Sequence, residues 1–534
     1  LGQASLTLPD RKYYIEAWNN SAYNVYYETM VNTSIKMGAS EETAKNEMKD
    51  VLEFETQLAT ISVPIEKQRD KSSQYNLFSK GELILKFKNV RIYNINHYLR
   101  LDQIIDSLSG NKIENDEIVN VAEPSFFEKL NELIPKTKKR TLANYIIWRF
   151  VLESLPHLSN NWKEIHFSLI GAISGNKVDT SRSEFCLQSV SEYLHIALSS
   201  LYIKSKLKKN RKIKREVRME FKKTASKLVK ELLITSKKEF SNIDWMEEET
   251  KQKALEKLNA FISLTAYPQQ FLKTKKVENY FSEYKIVGEY YEDYFASQKF
   301  AVDKQSKKLR WKNKRNDWKE IPNVLNTNAY NEIGKNKFII LLGILQPGLF
   351  DGNSRNCMNV ARIGSVISHE IFHSFDDEGR QYNKFGNLQN WWDNKTNATF
   401  FEKQECVIKQ YSKYYVSDID KYLNAINTQG ENIADIAAAV LSYKTFKRLI
   451  KSGKCDLCEA NKSKFNNDQL FWIYYAQTTS SNNFVKNILS DPHSPGEFRV
   501  VGPLSDNVDF SKSFNCGEAT PMNPVNKCTN TGVL

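Results

Sequence analysis

The chain has 534 residues, of which 41% are hydrophobic, 12% aromatic and 26% charged, with a formal net charge of +13. That length exceeds a single core and calls for two or more domains, and the apolar and aromatic content excludes disorder over most of the chain. The longest apolar run, Phe338 to Leu345, has the length of a strand and falls far short of the ~18 residues of a membrane span.

Residues 1 to about 295 read as mainly helical, with apolar residues at helical spacing in 38–58, 124–135 and 184–202. Asp244 to Phe261 opens with an N-cap aspartate and carries acidic residues in its first turns, as the helix dipole favours. Tyr267–Pro268 breaks the pattern. Basic clusters at Lys204–Lys223 and Lys304–Lys319 are compatible with a polyanion partner. No nucleic-acid module accompanies either, so they read as solvated surface and no nucleic acid is expected. The character of the chain changes near residue 300, which divides it into a helical domain, 1–300, and a second domain, 301–534. The second domain opens on a strand-like run and the turn Gln346–Pro347–Gly348.

The chemistry is concentrated in Gly364 to Gly379 (GSVISHEIFHSFDDEG). On a helix, His369 and His373 lie on one face a turn apart, so both imidazoles can reach one metal ion. Ile367, Ile371 and Phe375 form an apolar stripe that buries this helix. Glu370 is placed as a general base that takes a proton from water. With only seven histidines in the chain, a chance match to this pattern is rare. Glu431 is the candidate third ligand. It opens an Ala-rich stretch that reads as a buried helix, where a bare carboxylate needs a partner. That partner is a metal ion, or alternatively a salt bridge or a helix cap. Asp435, one turn on, is placed to accept the spare ring N–H of His369. Two histidines and one glutamate leave a zinc position open, the pattern of a catalytic site and not a structural one.

HEIFHSFDDEGR, NLQNWW, GENIAD, GILQP, Asn328–Ala329–Tyr330 and DPHSPGEFRVVG, in this order and at these intervals, together resemble the neprilysin and endothelin-converting-enzyme family of zinc endopeptidases. Upstream, Leu8–Pro9–Asp10–Arg11 with Tyr13–Tyr14, Asn144 to Phe150 (NYIIWRF) and Asp244–Trp245–Met246 resemble landmarks of the same family. The resemblance implies a mainly α (α+β) fold of two mainly helical domains enclosing a central cavity, the C-terminal one with a thermolysin-like core. It implies one Zn2+ held by His369, His373 and Glu431, with Glu370 as base and Asp435 orienting His369. It also implies His493 as the transition-state histidine, Arg499 as the substrate-binding arginine, and Asn328 and Ala329 as the segment that pairs with the substrate backbone. Short extracellular peptides are the implied substrates, cut on the amino side of hydrophobic residues. The implied setting is extracellular or cell-surface, reached by secretion or by an N-terminal anchor. A homodimer is compatible with the family.

Several features depart from the family pattern. The chain starts well inside it, at Leu1, with no signal or anchor, so Cys186 and Cys516 match positions whose partners are expected upstream. Cys406 and Cys528 match a bonded pair. Cys455 and Cys458 form a CxxC that reads as a local loop disulfide or as free thiols. Asn331 stands where a second aromatic is usual, Ala476–Ser480 replaces a segment with Trp and Cys, and Ile436–Ala437–Ala438 replaces Asn-Gly-Gly. A second expectation is therefore a catalytically impaired, peptide-binding family member. The five sequons at Asn19, Asn32, Asn394, Asn397 and Asn461 permit a glycoprotein without requiring one.

Overall fold

The structure is a computed structural model. It describes all residues outside 17–20, 95–96, 101–104, 107–108, 111, 177, 209–215, 318–322, 353–356, 456–463, 480–489 and 529–534. Cys458, the sequons at Asn19 and Asn461, Ser480 and parts of both basic clusters lie outside the described residues. The fold is mainly α, with 62% helix and 6% strand. The chain divides into two compact units: Leu1–Phe185 with Glu283–Lys312, and Cys186–Ser282 with Asn313–Asn483 and Asp491–Leu534. The sequence position near 300 lies in the segment that returns to the first unit. There the helix Tyr290–Lys307 docks through Tyr291, whose hydroxyl donates to Ser154 Oγ at 3.0 Å.

The first unit packs the helices Ser21–Lys36, Glu41–Ile61, Lys139–Ser154 and Asn160–Ser174 around a shared apolar core. Glu41–Ile61 starts at Ser40, whose side chain accepts from Thr43 N, the N-cap chemistry that satisfies an orphan helix donor. At the centre, Tyr26 is fully buried and its hydroxyl donates to Glu55 Oε2 at 2.6 Å, while Trp148 Nε1 donates to Tyr26 at 2.7 Å. Glu55 also accepts from Thr7 N at 2.9 Å. Two upstream landmarks, the Leu8–Tyr14 segment and NYIIWRF, are thus pieces of one core: Leu8 N donates to Tyr14 Oη at 2.9 Å, and Trp148 fills the space beside Tyr26.

The second unit contains a three-stranded sheet. Its central strand, Lys337–Leu341, runs parallel to Ile262–Ala266 and antiparallel to Ala329–Glu332. All five central residues are buried. Even Lys337 is inside, with its ammonium 2.9 Å from Glu332, as a buried charge requires. Ala329–Glu332 is therefore an edge strand. The helix Ile363–Phe372 lies against the long helix Ala425–Lys451. Ala434, Ala437, Ala438 and Ala439 are buried there, and their small side chains allow close approach of the two helices. Ile436–Ala437–Ala438, a departure noted in the sequence, is ordinary core packing in this helix.

Two helix starts differ from expectation. The helix expected from Asp244 begins at Glu248, with Glu247 at the N-cap, because 244–247 is held by tertiary contacts. Trp245 stacks on Trp392 at 6.4 Å, and Glu247 N donates to Thr396 Oγ1 at 2.9 Å. The helix expected to open at Glu431 begins at Ala425, capped by Asn424. Glu431 is therefore internal to it, which removes the helix-cap alternative.

Cys406 and Cys528 are bonded, as the resemblance implies. Cys455 is neither free nor in a local bridge. It is bonded to Cys357, 98 residues away. Sequence spacing could not reveal this pair, because only tertiary packing brings the end of one helix to the start of another. Cys186 and Cys516 carry free thiols.

Candidate metal centre

Ile363, Ile367 and Ile371 are fully buried and anchor the HExxH helix, so its opposite face presents His369. His373 occupies the cap position just past Phe372, still in helical conformation. The two rings remain on one face, and their Nε2 atoms stand 2.9 Å apart. Glu431 enters from the long helix, with Oε2 at 3.1 Å from His369 Nε2 and 3.4 Å from His373 Nε2. That oxygen is buried and makes no hydrogen bond.

Each histidine is oriented from its far side. His369 Nδ1 lies 2.8 Å from Asp435 Oδ1, and His373 Nδ1 lies 2.7 Å from Asp376 Oδ2. Asp376 is itself fixed by the backbone N–H groups of Glu378 and Gly379, at 2.9 and 2.7 Å. Sequence reasoning assigned Asp435 and missed Asp376. The available signal was its spacing, three residues after His373, which allows one turn to bring carboxylate and imidazole together.

The turn after His373 is unusually tight. A Cβ on Gly379 would meet the His373 carbonyl oxygen at 1.8 Å, so only glycine fits. Lys257 braces the turn from below. Its ammonium is buried and donates to the carbonyls of Ser374, Gly379 and Tyr382 at 2.7, 2.8 and 2.5 Å. Lys257→Met should strip the buried Ser374 carbonyl of its ammonium donor, while the Gly379 and Tyr382 carbonyls keep donors from Tyr382 N and Trp391 Nε1, and cost about 1–3 kcal/mol. Urea denaturation measures that loss, and an unchanged midpoint would show that the turn stands without Lys257.

His493 approaches from the loop after Asp491, with Nε2 at 3.2 Å from Glu431 Oε2 and Nδ1 at 2.9 Å from Asp491 Oδ1. This loop is tied to the ligand helix by two contacts. Asn427 Nδ2 donates to the Asp491 carbonyl at 2.9 Å, and Ser494 Oγ donates to Asn432 Oδ1 at 2.6 Å. Arg499, in the first turn of the helix Gly496–Asp506, lays its fork on Asp435, with Nε and Nη2 at 2.7 and 2.8 Å from the two carboxylate oxygens. Asn328 is exposed just before the edge strand and Ala329 is buried at its start. Thr478 and Thr479, in the altered 476–480 segment, turn their hydroxyls back onto the carbonyls of Tyr474 and Tyr475.

The three carboxylates differ in their electrostatics. Burial pushes Asp435 up, but the charges of Arg499 and His369 outweigh it and hold the group far below the usual carboxylate range. Glu431 is likewise pushed up by burial and held well down by His373 and His369. Glu370 differs: burial lifts its carboxyl above the usual range, against the pull of the two histidines. A raised pKa suits a group that must accept a proton and then release it.

His369, His373 and Glu431 are positioned to share one cation. A tetrahedral ion about 2.0–2.1 Å from each donor sets those donors roughly 3.3 Å apart, close to the 2.9, 3.1 and 3.4 Å observed. The unbonded Glu431 Oε2 supplies the negative charge and lone pair such an ion requires.

His369 and His373 from one helical turn and Glu431 from a neighbouring helix form a group that could hold one metal ion, with Glu370 on the same helix as the two histidines. Residues 1–268 match the N-terminal profile of peptidase family M13 and residues 328–530 match the family's second profile, and the chain belongs to that family. Neprilysin-2 of Drosophila melanogaster is 32% identical, over 99% of this chain and 68% of the relative. Endothelin-converting enzyme 1 of Homo sapiens is 30% identical, over 98% of this chain and 66% of the relative. The chain thus spans about two thirds of these relatives. Among solved structures, the zinc metalloprotease Zmp1 of Mycobacterium tuberculosis superposes with a TM-score of 0.79 at 21% identity, covering 97% of this chain and 75% of that one. PepO of Lactobacillus rhamnosis gives 0.79 at 20% identity, covering 99% and 77%. These last two likenesses are likenesses of fold.

Proposed function

We propose that this chain is a zinc-dependent endopeptidase that hydrolyses short peptides, with every assigned role falling in residues 301–534. The observation that carries the reading is the convergence of His369 Nε2, His373 Nε2 and Glu431 Oε2 around one point, with Glu370 adjacent on the same helix. Zinc held there would act as a Lewis acid on the scissile carbonyl and make water more acidic. Glu370 takes the proton from the attacking water and passes it to the leaving amine. His493, held through Nδ1 by Asp491, presents Nε2 to the oxygen on which negative charge develops. Asp435 and Asp376 keep the two ligand imidazoles in the tautomer that leaves Nε2 free for the ion. Arg499 holds Asp435 in place and turns its remaining N–H groups toward a peptide carbonyl. Asn328 and Ala329 offer the edge-strand backbone to an extended substrate.

The resemblance to neprilysin and the endothelin-converting enzymes supports cleavage on the amino side of hydrophobic residues. Two disulfides support an oxidising, extracellular setting. Among the described residues no helix is long and apolar enough to cross a membrane.

The test is metal content and turnover together. We expect one equivalent of zinc per chain, cleavage of a quenched peptide containing hydrophobic residues, complete loss with a chelator and recovery on adding zinc. Absence of zinc would overturn the reading. Zinc with no turnover on a peptide library would favour the peptide-binding alternative.

A further inference from the structure

We infer that Asn331 sets the spacing between the edge strand and Glu370, which makes it a positioning residue for the hydrolysis proposed above, on which this inference rests. The backbone of Asn331 is paired with Phe338 in the sheet. Its side-chain amide reaches across to the HExxH helix, where Nδ2 donates to the Glu370 carbonyl at 2.6 Å and to Ser374 Oγ at 2.8 Å. Both acceptors lie in the last turn of that helix or just beyond it, where carbonyls lose their usual donors. The Ser374 amide, which would serve Glu370 in a continuing helix, turns to the Ile371 carbonyl at 3.4 Å. Asn331 thus supplies the missing donor directly behind the base. It also grips fully buried Ser374, the residue after a metal ligand.

The choice of residue matters chemically. An asparagine amide has two N–H donors on one nitrogen and can serve two acceptors at once, which no phenylalanine or tyrosine ring can do. Strand and helix are separate elements, so their distance is set by what bridges them. A peptide laid along the strand must bring its carbonyl within reach of the water that Glu370 deprotonates. A misplacement of ~1 Å between reacting groups costs on the order of a hundredfold in rate. The amide bridge fixes that distance.

The experiment compares the wild type with Asn331→Leu, Asn331→Asp and Asn331→His, each zinc-loaded and assayed on one quenched peptide. The cobalt-substituted forms report ligand geometry through their visible bands. Expected is a fall in kcat of about tenfold to a hundredfold in the Leu and Asp variants. KM should stay within about twofold, and the cobalt bands should not change, because the ligands are untouched. Asn331→His, which keeps one ring N–H, should recover part of the rate. Should the Leu variant fail to fold, the near-isosteric Asp variant decides. An active wild type whose variants keep their kcat, or lose rate only with altered cobalt bands, overturns the inference alone. A wild type that binds zinc and cleaves nothing overturns the peptidase reading first, and the inference with it.

Discussion

Replacing Glu370 by glutamine should lower kcat by about two to four orders of magnitude, the range ascribed to a positioned general base, while zinc stays at one per chain. The substitution conserves shape, so the buried helix keeps its packing and the Glu370 carbonyl keeps its bond from Asn331. It removes only the capacity to accept a proton. Burial already raises the carboxyl of Glu370, so its ionised form is disfavoured in the fold and a neutral amide should not destabilise it. Thermal midpoint and metal content should match the wild type, and only turnover should fall. Wild-type kcat in Glu370→Gln would assign proton transfer to another group and sink the mechanism.

The second large effect is expected at Asp435, where stability and metal affinity are joined. Asp435 pairs with both Arg499 and His369. Asp435→Ala should strand the guanidinium in the interior, and breaking a buried pair by removing one partner costs about 3–5 kcal/mol. Loss of the group orienting His369 should also weaken zinc binding by about 10–100-fold. The double variant Asp435→Ala/Arg499→Met separates the two effects. With no stranded charge it should regain most of the stability measured by urea denaturation. It should regain none of the zinc affinity measured against a competing chelator. Wild-type zinc affinity in the single variant would show that His369 needs no orienting group.

The legible parts of the site were those written within one helical turn. His369, Glu370 and His373 are neighbours in sequence and in space, as are Glu431 and Asp435. His493 and Arg499 could be placed only through the resemblance, because their contacts with Glu431 and Asp435 cross from one element to another. Asn331 was visible as a departure and not as a bridge, since its partners lie on a different element. Asp376 was legible by spacing and was overlooked. In the fold, the apolar run at 338–345 gave the central strand. Its parallel pairing with Ile262–Ala266 is a long-range fact that periodicity does not carry. The two shifted helix starts, at Glu248 and Ala425, were decided by tertiary contacts and by Asn424, outside the reach of composition.

The bond between Cys357 and Cys455 has a topological consequence. His369, His373 and Glu431 all fall between these two cysteines, so the proposed ligands belong to one covalently closed ring of chain. A single cut in the exposed hairpin strand Lys421–Tyr422, between the histidine helix and the glutamate helix, would open that ring without freeing either part. Each ligand-bearing half would remain tethered to the other through sulfur. After such a nick the two parts would stay covalently joined, through Cys406–Cys528 as well, and would separate only when a reductant is added.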